Sequence, residues 1–292
     1  MKKILVALLL CATVLSLVAC GGEKNYSLGM GTVATVDGST GKASMTVTTA
    51  AVVLSPEEKI VACRIDVSQD KLSVADGKLP ALDTLTFQTK AELGNAYGMT
   101  NAGSKAEWYV EVRALEEYLI GKTKRDLSML PTKEENGGVY STDDKLTATC
   151  TIDIGDMLSA VKKAVADTQK TTLSAEPAKL GLAFRTSAAD STAASEEKDG
   201  RAVIFTTLAA TALDADGKIL GTVIDAAQGE ILFDTKGAIG TKTYNGTKRE
   251  LKENYGMSAI GKTEWYLQAK SFADFTVGMN GDGVGNIPTE EK

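Results

Sequence analysis

The chain contains no histidine, and this absence excludes several kinds of chemistry. Its 292 residues include 32 Lys and Arg, 38 Asp and Glu, and no His. Serine–histidine and cysteine–histidine nucleophiles, histidine metal ligands and the commonest general base are therefore all missing. We leave catalytic and metal-binding residues unassigned for this reason and favour a function other than catalysis.

Cysteine is also scarce, and only two cysteines bear on the folded part of the chain. Of the four present, Cys11 and Cys20 fall in or at the end of an N-terminal apolar segment. Cys63 and Cys150 remain, which is too few for a zinc site. Both lie on apolar faces of predicted strands, so the two alternatives are a disulfide in an oxidising compartment and a pair of buried free thiols.

The chain lacks an excess of positive charge. Its formal net charge is −6, which argues against a nucleic-acid partner and against a polybasic face that binds membranes. Any contact with a membrane has to come from another feature of the sequence.

That feature is the N-terminus. Lys2 and Lys3 precede an apolar run that is too short to span a bilayer comfortably. The tetrapeptide Leu17-Val18-Ala19-Cys20 resembles the lipobox of bacterial lipoproteins, in which the cysteine receives acyl chains such as palmitate. The resemblance implies a signal peptide at 1–19, a lipid anchor at Cys20, a tether at 20–27, and location at the extracytoplasmic face of the cell membrane.

Two near-copies of one phrase occur in the chain. YGMTNAGSKAEWY begins at Tyr97 and YGMSAIGKTEWY begins at Tyr255, and each contains one of the two tryptophans. The match extends upstream through TKAEL at Thr89 and TKREL at Thr247. Shared phrases at near-constant spacing predict a tandem duplication, with repeat domain 1 at 28–168, a polar linker at 169–179 and repeat domain 2 at 180–292.

Each copy predicts a β-hairpin followed by two helices. Residues 44–54 and 59–69, like residues 203–213 and 218–228, alternate as paired strands with one buried face. Thr89 with Glu92, and Thr247 with Glu250, have the spacing of a capping box at the start of a short helix. Ser104 with Glu107 predicts another capping box, which would begin the longer helix that contains Trp108.

The copies differ at their ends. In the first, the alternation from Leu146 to Ile154 predicts a strand, and residues 156–167 predict a helix. The fold class is therefore α+β, with two tandem copies of a small antiparallel sheet (a β-hairpin) packed on helices, the second copy lacking the last strand and helix. We expect the unfinished sheet either to be covered by the chain's own tail or to borrow a strand from a partner.

The aromatic residues of the repeated phrase permit two interpretations. They pack against the hairpin, or they line a pocket for a ligand, because aromatic and methionine side chains also line cofactor sites. The pocket interpretation assigns the four matching residues of each copy as ligand-binding: Tyr97, Met99, Trp108, Tyr109, Tyr255, Met257, Trp265 and Tyr266.

The order of elements and phrases such as Asp216-Gly-Lys-Ile219 resemble the FMN-binding domain found in tandem in Gram-positive surface lipoproteins of the pheromone and extracellular electron-transfer type. The resemblance covers about 28–170 and three quarters of the second copy, and it implies FMN as a cofactor. That family attaches FMN to the final hydroxyl of a Ser-Gly-Ala-Thr type segment. Here the segment is Ala148–Asp156, which offers Thr149 and Thr151 without the glycine turn, so non-covalent binding is favoured over covalent.

Three classes of function remain open. The first is a lipid-anchored surface protein with a binding or electron-transfer accessory role, for which the cofactor is unknown. The second is a non-redox module that binds a solute or a wall component, or has a structural role. The third is an enzyme, with Asp66 and Asp225 as recurring acids, although local hydrogen bonds explain such residues equally well. The expected partners are the membrane, reached through the lipid anchor, and either a small aromatic ligand or a surface protein, with no nucleic acid.

Overall fold

The computed structural model describes residues 25–167 and 169–290 of the chain. The predicted signal peptide at 1–19 and the predicted anchor Cys20 lie outside the described residues, as does most of the predicted tether. The described part combines antiparallel sheets with helices, in agreement with the α+β class. None of its helices is both long enough and apolar enough to cross a membrane.

The first half has six strands and five α-helices among its described residues, and they follow one another along the chain. They are β1 (Tyr26–Ser39), β2 (Lys42–Leu54), β3 (Ile60–Ser73), α1 (Lys90–Leu93), α2 (Trp108–Leu119), α3 (Lys124–Ser128), β4 (Thr132–Glu135), β5 (Gly138–Ser141), α4 (Asp144–Thr147), α5 (Gly155–Ala166) and β6 (Thr171–Leu173).

The second half repeats the beginning of this order and then has fewer elements. Its elements are β7 (Lys179–Ser187), β8 (Gly200–Leu213), β9 (Ile219–Phe233), β10 (Ile239–Thr243), α6 (Lys248–Leu251), α7 (Trp265–Phe275) and α8 (Gly281–Gly285).

Two four-stranded antiparallel sheets form the centre of the molecule. The first has the order β3-β2-β1-β6 and the second β10-β9-β8-β7. The predicted hairpins β2-β3 and β8-β9 are confirmed, and each has a register shift near its turn, at Val53/Leu54 and at Ala212/Leu213. Each hairpin is extended to a three-stranded meander by a strand that the sequence did not predict, β1 or β7.

The two sheets pack face to face and share one core. β1 lies over β9, β2 over β8 and β3 over β7. Met45 and Val47 from the first sheet meet Leu208, Ile231 and Phe233 from the second in a single buried cluster. This arrangement is an aligned sandwich, in which the inward side chains of both sheets fill the space between them. Neither half encloses this core by itself.

Helices cover the outer face of the first sheet. Outward residues such as Val52 and Ile65 pack against α2 and α5 in a second buried cluster. Gly31 allows the close approach of α5 to β1, because a Cβ there would lie 2.3 Å from the carbonyl oxygen of Ala160. On the second sheet, α6 and α7 pack on β9, and the residues described after α7 form only the short α8.

The predicted strand from Leu146 to Ile154 is wrong. The segment forms α4 and then an irregular stretch, and Leu146, Cys150 and Ile154 are buried at a spacing of four residues. Asp143 caps α4, and the Cys150 amide donates to the Leu146 carbonyl at 2.8 Å. These local partners satisfy the backbone without a sheet.

The second sheet has two edge strands. β8, which contains residues 203–213, is paired on both sides, and β7 and β10 lie at the edges. The predicted linker at 169–179 contains β6, which pairs with the start of β1, and the predicted tether contains the first residues of β1. One free edge of the second sheet therefore belongs to β7.

Candidate functional site

The repeated phrase is held by a glutamate in each half. Glu107 accepts hydrogen bonds from the backbone amides of Met99 at 2.9 Å and Thr100 at 3.0 Å. Glu264 does the same for Met257 at 3.2 Å and Ser258 at 2.9 Å. The predicted Ser104–Glu107 capping box is therefore wrong, because the Glu107 carboxylate is committed to the loop before α2.

These hydrogen bonds change the titration of both carboxyl groups. The Thr100 hydroxyl and amide hold the pKa of Glu107 below its ordinary value, and the Ser258 amide lowers the pKa of Glu264. Both glutamates therefore remain charged acceptors, and a proton-transfer role is not favoured.

The predicted aromatic residues surround a lysine of the chain itself. Lys90 Nζ lies 4.9 Å from the ring centroid of Tyr97 and 5.4 Å from that of Trp108. In the second half, Lys248 Nζ lies 4.5 Å from Tyr255 and 5.3 Å from Trp265. A cation held over aromatic faces is attractive, and it occupies the space that a ligand would need between these rings.

The remaining predicted pocket residues have structural partners nearby. The Tyr109 hydroxyl donates to Asn95 Oδ1 at 3.1 Å, and that of Tyr266 donates to Glu253 Oε1 at 2.7 Å. Met99 packs against the core below α2. The eight residues therefore do not converge on one pocket, and the packing interpretation describes most of them.

Trp108 and Tyr109 nevertheless line a separate cleft of about 690 Å³. One wall is β3 from Val61 to Asp66, a second is α2, and a third is the segment from Pro177 to Leu182. The cleft lies where the edge strands β3 and β7 face each other, and its volume is typical of small-molecule sites, which measure about 300–1,000 Å³.

Charged groups of both signs face the cleft. Arg64 Nη1 lies 3.1 Å from Glu116 Oε2, and the Ile65 amide donates to Glu116 Oε1 at 2.7 Å. Burial raises the pKa of Glu116, although the Ile65 amide and Arg64 oppose the shift. Arg113 and Glu117 add one further charge of each sign.

The sequence analysis did not identify these charged residues. Glu116 lies between the apolar positions Leu115 and Leu119 of α2, and an acid within an apolar stripe is the signal that could have identified it. No local pattern could have identified the wall from Pro177 to Leu182, because it comes from the other half of the chain.

At the matching place in the second half, the cavity measures only about 40 Å³. Arg249 fills this space, where the first half has Ala91 lining the cleft. Arg249 Nη2 lies 3.0 Å from Asp167 Oδ2 and donates to the Gln169 carbonyl at 3.0 Å. Both partners of this ion pair are nearly buried, so the guanidinium has a fixed position.

Asp66 and Asp225 have the same role in the two halves. Asp66 Oδ1 accepts from the amides of Val67 and Ala91, and Asp225 Oδ1 accepts from those of Ala226 and Arg249. Burial raises the pKa of both, that of Asp225 to about 6. Each carboxylate therefore ties a short helix to a strand, as the local hydrogen-bond interpretation predicts.

Cys63 and Cys150 are free thiols, not the disulfide that was the first alternative. Both thiols are buried in the cluster that contains the apolar face of α2. Burial raises the pKa of both, that of Cys150 to about 11. Neither thiol is a nucleophile near neutral pH.

The residues do not fit an attached flavin. Thr151 Oγ1 lies 3.1 Å from Glu111 Oε2 in the stretch between α4 and α5, and neither Thr149 nor Thr151 lines the cleft. The cleft itself offers no net positive charge for a phosphate ester, because its carboxylates match its cations. Among the described residues, no group of three or more Cys, Asp and Glu could hold a metal ion.

No protein-family model, curated protein or solved structure matches this chain.

Proposed function

We propose that the protein is a lipid-anchored surface protein that binds a ligand in the cleft between β3, α2 and β7. Its two halves are copies of one domain of the FMN-binding type, and it works without a flavin. Repeat 1 spans 28–168 and repeat 2 spans 180–292, and the described residues of repeat 2, which end at 290, form no counterpart of α5. A binding role suits a site with aromatic, apolar and paired charged groups and without a reactive nucleophile.

Matching hydrogen bonds support the duplication. Thr89 with Glu92 and Thr247 with Glu250 both form complete capping boxes. Gly121 donates to the Ile60 carbonyl at 2.7 Å, and Gly278 donates to that of Ile219 at 2.8 Å. Two segments that resemble each other only by chance would have no reason to form the same hydrogen bonds at matching positions.

The observation that carries the proposed function is the difference between the two clefts. The cleft of the first half measures about 690 Å³, and the matching cavity measures about 40 Å³, where Arg249 and Thr171 of β6 both form part of the lining. A cleft that only reflected loose packing would have no reason to be open in one copy and closed by a fixed ion pair in the other.

Native mass spectrometry of protein purified from its own source tests the binding site. We expect a bound mass that is released on denaturation, and we expect the Ala91→Arg variant to lose it. Ala91 is exposed in α1 and lines the cleft, so arginine there projects into the cleft as Arg249 does in the other half. Retention of the bound mass by Ala91→Arg would contradict the proposal.

A matched variant and a spectrum serve as controls. Ala96 is exposed in the same region and does not line the cleft, so Ala96→Arg adds the same charge and should keep the bound mass. The visible spectrum should show no flavin bands. A yellow protein would favour the electron-transfer role over this proposal.

The lipid anchor has its own test. Cells that express the protein and are fed an alkyne analogue of palmitate should label it, and Cys20→Ser should abolish both the label and recovery in the membrane fraction. Cys11→Ser serves as the control and should leave both unchanged. Membrane recovery of Cys20→Ser at the wild-type level would contradict the anchor.

A further inference from the structure

β6 covers β9 in the second half, at the place that corresponds to the cleft of the first half. β6 pairs antiparallel with the start of β1, with Thr171 opposite Leu28 and Leu173 opposite Tyr26. β6 also rests on β9, where the Thr171 hydroxyl donates to the Thr222 carbonyl at 3.3 Å. A Cβ on Gly221 would lie 2.6 Å from Leu173, which shows how closely β6 covers this strand.

The strand register identifies the matching residues of the first half. Leu28 lies opposite Val53, which lies opposite Ala62. In the other half, Leu180 lies opposite Ala212, which lies opposite Gly221. The surface that β6 covers therefore corresponds to the start of β7 and to β3 at Ala62 and Cys63.

These matching residues are walls of the cleft. Ala178, Lys179 and Leu180 form one side, and Ala62 and Cys63 form the other. Within the described residues, no strand pairs with the outer edge of β7. The first half therefore has an uncovered surface that matches the one β6 covers on β9. This uncovered surface is part of the cleft.

We infer that the cleft binds an extended polypeptide segment of another protein, which adds to β7 as an antiparallel strand and rests on β3 and α2. The inference rests on the proposed function, because the duplication supplies the matching positions. Strand addition to a free edge draws its affinity from backbone hydrogen bonds and its selectivity from pockets for alternate side chains.

The dimensions of the cleft set the length of this segment. The β3 wall from Val61 to Asp66 extends over about 20 Å at 3.3 Å per residue. The α2 wall from Trp108 to Ile120 extends over about 18 Å at 1.5 Å per residue. A strand of about five or six residues fills a space of this length.

The lining sets the chemistry of the segment. Val61, Leu180 and Leu182 offer apolar contact for one side of a strand, as β9 does for Leu173. Charges of both signs surround this surface, among them Arg64 and Glu117. They disfavour a segment with several charges of one sign and favour hydroxyl and aliphatic side chains such as those of β6.

Hydrogen exchange of the full chain, measured with a synthetic peptide, tests the inference. The peptide Gln-Lys-Thr-Thr-Leu-Ser-Ala reproduces residues 169–175, which include β6. At about 5 mM peptide, above a millimolar dissociation constant, we expect exchange in the segment from Pro177 to Leu182 to slow at least about fivefold through new hydrogen bonds. Exchange in the exposed segment 196–199, which lies outside the strands and the cleft, should not change.

One control separates strand addition from other binding. A peptide with the same side chains and N-methylated backbone amides should give no protection, because it lacks the donors that a strand requires.

Two outcomes would overturn the inference. One is unchanged exchange at Pro177–Leu182 with the unmodified peptide, and the other is equal binding of the N-methylated peptide. Either result leaves the proposed function standing if the native bound mass is still lost in Ala91→Arg. The proposed function would be contradicted by a different result, in which native mass spectrometry finds no bound mass that depends on the cleft.

Discussion

Buried glutamates near and within α2 hold the backbone of other segments. Glu107 binds the loop before the helix, Glu116 binds β3, and Glu111 binds the stretch between α4 and α5. A carboxylate that accepts several backbone amides replaces a sheet or a helix as the partner of those amides. These residues therefore support the irregular segments around the cleft.

The role of Glu111 can be tested by measuring stability. Its Oε2 accepts from the amides of Thr151 at 2.6 Å and Ile152 at 3.1 Å. Glu111→Ala leaves these donors unpaired, and we expect it to lower the free energy of unfolding by about 2–4 kcal/mol. Glu117→Ala, an exposed change on the same helix, should alter it by less than about 0.5 kcal/mol. Equal urea midpoints for the two variants would refute this role.

The raised pKa of Asp225 should make the stability of the protein depend on pH. Burial raises its pKa to about 6 in the folded chain, against about 3.9 for an unfolded aspartate. The folded chain therefore binds more protons between about pH 4 and pH 6, and stability falls as the pH rises through this window. From pH 5 to pH 7, the wild type should lose about 1 kcal/mol more than Asp225→Asn.

The measurement is urea unfolding of both proteins at the two pH values. Asparagine keeps an oxygen that can accept the Ala226 and Arg249 amides but does not titrate, so the variant should show the smaller change. The same loss in both proteins would mean that Asp225 does not cause it.

At the scale of elements, the close contact between α5 and β1 distinguishes the halves. A Cβ on Gly31 would lie 2.3 Å from the Ala160 carbonyl oxygen and 2.4 Å from the Ala164 nitrogen, whereas one on Gly181 of β7 would lie 3.8 Å from its nearest neighbour. Both glycines lie on the first strand of their meander, Gly31 two positions beyond the register counterpart of Gly181, which is Gly29.

Gly31→Ala should therefore lower the free energy of unfolding by about 2–3 kcal/mol, because α5 has to move away from β1. Gly181→Ala should change it by less than about 0.5 kcal/mol. The two variants are compared by urea denaturation with tryptophan fluorescence. A Gly31→Ala midpoint at the wild-type value would show that α5 does not press on β1.

Local patterns predicted the elements whose partners are near in sequence. The hairpins β2-β3 and β8-β9 and the caps of α1 and α6 were predicted because alternation and capping are properties of adjacent residues. The strand at 146–154 failed because its apolar residues fit a period of two and a period of four equally. β1 and β7, which contain glycine and short polar residues, gave a weak signal.

The cleft could be predicted only in part. Trp108 and Tyr109 were identified from the repeated phrase, and both line it. Tyr97 and Tyr255 were assigned to a ligand, yet each lies over a lysine of the chain. The wall that contains Leu180 reaches the cleft through the packing of one sheet on the other, which no local pattern encodes.

At the scale of the whole molecule, the two halves form one structural unit. The shared core contains residues of both sheets, and the cleft has walls from both halves. The reciprocal packing, with β1 over β9 and β3 over β7, resembles the self-complementary interface of a two-fold dimer. The cleft therefore exists only while the halves are packed together.

Native-state hydrogen exchange of the full chain tests this shared core most directly. The slowest amides of β2 and those of β8 each report the free energy of the opening that exposes them. Because one core joins the sheets, we predict that both sets exchange through global unfolding, with free energies that agree within about 0.5 kcal/mol. Free energies that differ by more than about 2 kcal/mol would mean that the halves unfold separately, and would contradict a cleft built between them.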